Sequence, residues 1–221
     1  MKLSVHQPAY LPWLGHFNKI KCCDLFVFMD TVQFEKNGFT NRNKIKTAQG
    51  AQWLTVAVKH KNHMSTSLLD LELVPHSQWQ KKHLHTIALN YSRAPNYAGL
   101  YPKLEKLYQQ SYERLTELCW DHLHFWLRYL NITTKVVRLS EFNIGGKKSE
   151  LILNMCRYFN ATTYLSGPSG KKYLIETDFA RHHIDIEYLT FAHPYYPQLY
   201  GDFLPNLAVL DYCMNSKEQT L

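Results

Sequence analysis

Apolar and polar positions alternate over the first residues of the chain and then change period. Leu3 and Val5 form the apolar face of a predicted first strand, and His6, Gln7 and Tyr10 fall just past its end. Pro8 and Pro12 keep the next residues out of regular structure. Asn18 to Cys23 continues a short helix, and the largely apolar run Asp24 to Asp30 predicts a second, buried strand. Strand, loop, helix and strand make one βαβ unit. In open α/β sheets ligands bind beyond the carboxyl ends of the strands, where the loop from His6 to Trp13 and Asp30 would both lie.

Residues 31–59 predict short strands and hairpins, with turns at Asn37-Gly38 and Gln49-Gly50 and a β-branched strand from Trp53 to Val58. Residues 60–66 are polar, and His60 and His63 among them fit surface or packing roles. Leu68 to Val74 predicts a further strand ended by Pro75. Trp79, His83 and Ile87 recur at helical spacing. A helix starting at Pro102 and a long amphipathic one from Leu115 to Tyr129 follow, the latter capped by a left-handed Asn131. The last third alternates: strand 135–139, helix 149–159, strand 162–165, helix 173–183 and an edge strand 184–189. The residues from Asn215 onward are expected to be loosely held. Such alternation predicts an α/β fold, with a mostly parallel, Rossmann-like sheet flanked by helices. The expected organisation is one domain over 1–221, with a hairpin insertion at about 31–75 and a helical segment at about 79–131.

Composition narrows the class. The 31 aromatic residues among 221 supply an ample core. No apolar run approaches the ~18 residues of a membrane span, and no signal-peptide pattern opens the chain, so a cytoplasmic protein is expected. The five cysteines form no C-x-x-C pair, which predicts neither disulfide framework nor zinc site. The net charge of +7 is uneven: residues 1–110 hold 14 Lys and Arg against 6 Asp and Glu, and the remainder 11 against 12. A basic N-terminal half attracts anions: nucleic acid, an acidic membrane or a phosphorylated small molecule.

The candidate chemistry sits mostly in loops after strands. His6 titrates near neutrality and is a candidate general base, aimed by Gln7, while Tyr10 could stack on a sugar or base ring. Asp30 is placed to orient a hydroxyl, although a turn-capping role suits it equally. Asn41-Arg42-Asn43-Lys44 is the anion-site candidate, since Arg42 offers a planar fork and Lys44 a point charge. Ser166-Gly167-Pro168-Ser169-Gly170 follows a strand and could cradle an anion with its backbone, but it lacks Walker A spacing, and Ser169 lacks a nucleophile elbow. His193 and Tyr196 lie on a rigid loop after the last strand, and a His6/His193 pair would suit proton transfer. Neither a metal nor a cofactor is expected.

The chain resembles the WbqC-like protein family over nearly its whole length. The residues that carry the likeness include His6-Gln7-Pro8 with Tyr10, Pro12, Trp13 and Gly15; Asp30, Gln33 and Asn41 to Ile45; Trp79 with His83; Ser166-Gly167 with Ser169-Gly170; His193-Pro194 with Tyr196 and Gln198; and Asp211 with Asn215. Ser216-Lys217 departs from the small residue that often follows the Asn. The resemblance implies bacterial surface-polysaccharide assembly, notably O-antigen clusters, and implies no reaction. A weaker resemblance links the βαβ unit to nucleotidylyltransferases, whose H-x-G-H is here Trp13-Leu14-Gly15-His16. The expectation is an enzyme moving a small acyl or aminoacyl group onto a nucleotide-linked or phosphorylated amino sugar. Arg42 and Lys44 would hold phosphates, His6 or His193 would act as base, and Asp30 and Gln33 would orient the acceptor. The rivals are a nucleotidylyltransferase, a non-catalytic partner in glycan assembly and a nucleic-acid-binding module. The last is disfavoured because the basic residues form no continuous arm.

Overall fold

The structure, a computed structural model, describes residues 1–59 and 66–216; His60 and His63 lie outside them. In chain order the elements are β1 (Lys2–His6), α1 (Leu14–Lys21), β2 (Leu25–Phe28), β3 (Arg42–Thr47), β4 (Gly50–Thr55), α2 (Trp79–Tyr91), α3 (Tyr97–Tyr108), α4 (Leu115–Tyr129), β5 (Lys135–Arg138), α5 (Ser149–Tyr158), β6 (Thr163–Ser166), α6 (Glu176–Arg181), β7 (Asp185–Tyr188) and α7 (Val209–Asn215).

Five strands form one parallel sheet in the order β5-β2-β1-β6-β7, and β3 pairs with β4 as an antiparallel hairpin. From β1 the chain steps outward through α1 to β2 and then β5. It returns through α5 to β6 on the other side of β1. The crevice between β1 and β6 is therefore the point where the winding reverses, the place where open α/β sheets bind ligands.

Both faces of the sheet are buried, as an all-parallel sheet requires. Leu3, Val5, Leu25, Val27 and Tyr164 pack with α5 and Phe179 of α6 on one face. Phe26, Phe28 and Leu165 face a larger cluster that includes Phe17 and Ile20 of α1, Trp126 of α4 and residues of α2, α3 and α7. The even spacing of Leu25 and Val27 against Phe26 and Phe28 divides β2 between these two cores.

Several elements differ from expectation. Leu68 to Val74 is not a strand: Leu68–Asp70 is a single 3₁₀ turn capped by the Ser67 hydroxyl, and Leu73 makes only an isolated bridge to Val58. The helix expected at Pro102 begins at Tyr97, so the proline sits inside α3, where burial of Leu100, Leu104 and Tyr108 offsets the missing donor. The helix expected over 173–183 is α6, six residues long, and 168–172 before it closes as a separate 3₁₀ turn. The chain's end is not loose up to Asn215: that side chain is buried and donates to the Asp211 carbonyl at 2.8 Å. The left-handed cap at Asn131 is present, with φ 54°.

Candidate functional site

A cleft of about 660 Å³ opens at the rim of the sheet, between the ends of β1 and β6. Its walls come chiefly from four parts of the chain, with Met29 after β2. They are His6 to Ala9 after β1, with Gly15, His16 and Lys19 of α1; Glu35 and Gly38 to Thr40; Gly167 to Gly170 after β6; and Leu189 and Phe191 after β7. A larger hollow, about 760 Å³, lies away from the strand ends against Trp79 and Tyr108, and its Lys59 is already paired with Glu72 at 2.6 Å. The rim cleft is the one that gathers titratable groups at the switch point.

Local hydrogen bonds fix the loop between β1 and α1. Tyr10 N–H donates to the Thr40 carbonyl at 3.0 Å, and the Asn43 side chain donates to the Leu11 carbonyl at 2.5 Å. Leu11 is held at φ 48°, a left-handed conformation costly for a branched side chain and common where a fold over-determines a functional loop. Gly15 is required by close approach: a Cβ there would lie 2.2 Å from the Trp13 ring. A Cβ on Gly170 would lie 2.0 Å from the Ser166 hydroxyl oxygen.

The titratable group at the end of β1 is exposed His6 with buried His16 and Lys19. The two imidazoles meet edge to face, with centroids 4.6 Å apart. Lys19 is 8% exposed, and its ammonium donates to the Val5 carbonyl at 2.8 Å. No ion pair found among the described residues involves it. Desolvation lowers its pKa from the usual lysine value to about 8, and no carboxylate opposes that shift. His6 Nδ1–H donates to the Gln7 carbonyl at 2.7 Å, because a carbonyl only accepts; the neutral ring therefore carries its free lone pair on Nε2. Desolvation first, then the Lys19 charge, pull His6 down to about 4, with the Gln7 bond opposing. His6 is exposed at the cleft, and its lowered pKa leaves the imidazole neutral at pH 7. His16 is held well below its ordinary value by burial, by His6 and by Lys19. The acid lining this cleft is Glu35, on the exposed loop.

Of the residues singled out from sequence, His6, Gln7, Ser169 and Gly170 line the cleft. The others are placed elsewhere. Asp30 is fully buried and accepts from the Ser140 N–H at 2.9 Å and hydroxyl at 2.6 Å, tying the end of β2 to the turn after β5. Tyr10 is buried against His83 Nδ1 (2.8 Å) and the Tyr108 hydroxyl (2.5 Å), so its ring is not free to stack on a ligand. Asn41 donates to the Val56 carbonyl at 2.9 Å. Gln33 bridges to Ser67. Arg42 spends its fork on the carbonyls of Asn37 (2.7 Å) and Gly38 (3.3 Å) and lies over Trp53, with Lys44 on the same ring. Arg42 therefore braces the cleft wall at Gly38, and neither Arg42 nor Lys44 lines the cleft. His193 packs behind Phe191, and its Nδ1–H donates to the Pro194 carbonyl at 2.9 Å. It does not line the cleft, and no hydrogen bond or ring contact joins it to His6 among the described residues.

Tyr196 belongs to a buried network around Asp211. That carboxylate accepts from the hydroxyls of Tyr91 (2.6 Å) and Tyr196 (2.9 Å) and from the Gln198 amide (2.8 Å). Lys46 completes it, donating its backbone N–H to Tyr91 and its ammonium to Gln198 at 3.1 Å. Burial raises the Asp211 pKa, and these donors oppose the rise. The network joins α2, the hairpin, the 196–198 loop and α7.

Lys19 is the residue sequence reasoning missed, and His16 was met only as the second histidine position of the H-x-G-H likeness. Their signal is positional: they stand three apart on the helix that follows β1, one turn apart on one face, beside the buried stripe of Leu14, Phe17 and Ile20.

Comparison with known proteins agrees with the sequence. The model of the WbqC-like protein family matches residues 7–221. The chain belongs to the WbqC-like protein family. An uncharacterized protein of Mycobacterium tuberculosis (strain ATCC 25618 / H37Rv), Rv1507c, is 32% identical over 216 residues, covering 97% of this chain and 93% of its own length. No solved structure matches. In this WbqC-like chain the matched region contains every cleft wall except the end of β1, where His6 stands one residue before it. Among the described residues no helix is long and apolar enough to cross a membrane.

Proposed function

We propose that this WbqC-like protein is a cytoplasmic group-transfer enzyme of bacterial surface-polysaccharide assembly. Its acceptor is a phosphorylated or nucleotide-linked amino sugar bound in the rim cleft. One observation carries the reading: a buried lysine with no acidic partner, facing a cleft at the switch point beside two imidazoles. A buried ammonium without a counter-charge is costly, and an anionic ligand is the group that would offset it.

The chemistry follows from the protonation states. The acceptor amine attacks the carbonyl carbon of an acyl or aminoacyl donor, and the bond from that carbon to the leaving group breaks. His6 Nε2 takes the proton from the attacking nitrogen and returns it to the leaving group. Desolvation first and then the Lys19 charge depress His6 and make it a weak base. A bound phosphate neutralises that field and raises the basicity of His6 when the substrate is in place. Substrate binding and activation of the base are thus coupled.

The test is a mass-spectrometric transfer assay with nucleotide-linked amino sugars and activated acyl or aminoacyl donors. The wild type is expected to add the donor mass to one acceptor. His6→Ala should fold normally and lose about 10²–10⁴ in kcat, the range of a general base. Full-rate transfer by folded His6→Ala would contradict the assignment.

A second reading, nucleotidyl transfer, is favoured by the His6–His16 contact at 4.6 Å. Trp13 occupies the position of the first histidine of H-x-G-H, and His6 supplies an imidazole at His16 from the strand end instead. It predicts pyrophosphate release from a nucleoside triphosphate and a sugar phosphate, which the acyl-transfer reading does not.

A further inference from the structure

Six aromatic side chains are exposed among the described residues: Trp13, Phe39, Trp53, Tyr158, Tyr173 and Tyr195. Three of them, Trp13, Phe39 and Tyr173, line the rim cleft, and Trp53 touches Phe39 with centroids 5.7 Å apart. Exposed rings therefore gather at the cleft that buried Lys19 also lines. Such a lining asks for a ligand that carries both an anion and a flat ring.

Phe39 is the most exposed of the three exposed rings that line the cleft. It is 55% exposed, whereas Trp53 already carries the Arg42 guanidinium at 4.2 Å and the Lys44 ammonium at 4.8 Å on its ring. Arg42 also holds the carbonyls of Asn37 and Gly38, which fixes the segment bearing Phe39. An aromatic platform flanked by cations is the arrangement on which nucleobases stack, since every base offers a π-face. A cleft of about 660 Å³ also exceeds the need of a sugar phosphate; it lies within the ~300–1,000 Å³ range that encloses a ligand of several rings.

We propose that the ligand of this cleft is a nucleoside diphosphate derivative, with its diphosphate at Lys19 and its base stacked on Phe39. The proposal rests on the reading of the rim cleft as the substrate site and selects the nucleotide-linked acceptor over the merely phosphorylated one. Phe39 then sets specificity for the nucleotide, and Arg42 and Lys44 act through the wall that presents it.

The test is isothermal titration of the full chain with pyrophosphate, UDP, ADP and glucosamine 1-phosphate. UDP or ADP should bind at least tenfold more tightly than pyrophosphate or glucosamine 1-phosphate. Phe39→Ala should erase that preference and leave pyrophosphate binding unchanged. Lys19→Met should weaken all four probes together. If pyrophosphate binds through Lys19 but the nucleotides gain nothing over it, or Phe39→Ala keeps the preference, the stacking proposal is overturned and the cleft reading stands. Glucosamine 1-phosphate binding as tightly as UDP would overturn it equally. If none of the four binds, the cleft reading falls with it.

Discussion

Two regions of this molecule take a charge out of water, and they treat it in opposite ways. Around Asp211 every donor is aimed at the buried carboxylate: two tyrosine hydroxyls and an amide at 2.6–2.9 Å, with Lys46 closing the network. At the sheet rim Lys19 has a backbone carbonyl and two imidazoles for company and no acid. The first arrangement is complete and joins four parts of the chain. The second is incomplete and opens onto a cleft. Satisfaction separates them: a finished polar network specifies structure, and the unfinished one facing solvent space is the group that the proposed function assigns to a ligand.

The sharpest way to break the contrast is Asp211→Ala. It leaves Tyr91, Tyr196 and Gln198 donating into an emptied space and should cost about 3–5 kcal/mol in urea unfolding. Acid should come next. His83, buried beside Tyr10, has its folded pKa lowered to about 4, chiefly by desolvation. The unfolded chain then binds more protons than the folded one between about pH 6.5 and 4. Stability is full above that window and falls as pH drops through it, by up to ~3 kcal/mol from this group. His83→Gln should flatten the fall when midpoints are compared at pH 7 and pH 4.

Lys19→Met should act against intuition. Removing an unpaired buried cation while keeping the stem's volume should raise stability at pH 7 by on the order of 1–2 kcal/mol. With the folded pKa near 8 and the unfolded value near 10.5, the wild type should regain that difference as pH rises between them, so the two unfolding curves converge in alkali. The smallest effect is expected of Arg42→Ala. The loss of one exposed cation–π contact and two carbonyl bonds should move stability by under about 1 kcal/mol and loosen the Phe39 segment, seen as a few-fold weaker nucleotide binding.

The βαβ units were legible because apolar runs such as Leu25 to Phe28 and helical stripes such as Leu151, Ile152, Met155 and Cys156 are local patterns. The strand expected at Leu68–Val74 was misread because an apolar run says nothing about pairing: without a partner strand, Leu68 and Leu71 are buried by a tight turn instead. His6 and the 166–170 loop were found because both end strands. Tyr10, Asn41, Asp30 and Tyr196 carry polar atoms that suit ligands and suit buried networks equally, and the partner, 15 residues away for Asn41 and Tyr196, 73 for Tyr10 and 110 for Asp30, decides between them. Lys19 stayed hidden because a lysine beside an apolar stripe reads as a surface residue until its burial is known.

The most direct test compares thermal midpoints of wild type and Lys19→Met at pH 7, with and without pyrophosphate. The unpaired ammonium predicts that the variant melts higher when empty, and that pyrophosphate raises the midpoint of the wild type alone. Equal shifts in both proteins, or a variant that melts lower when empty, would contradict it.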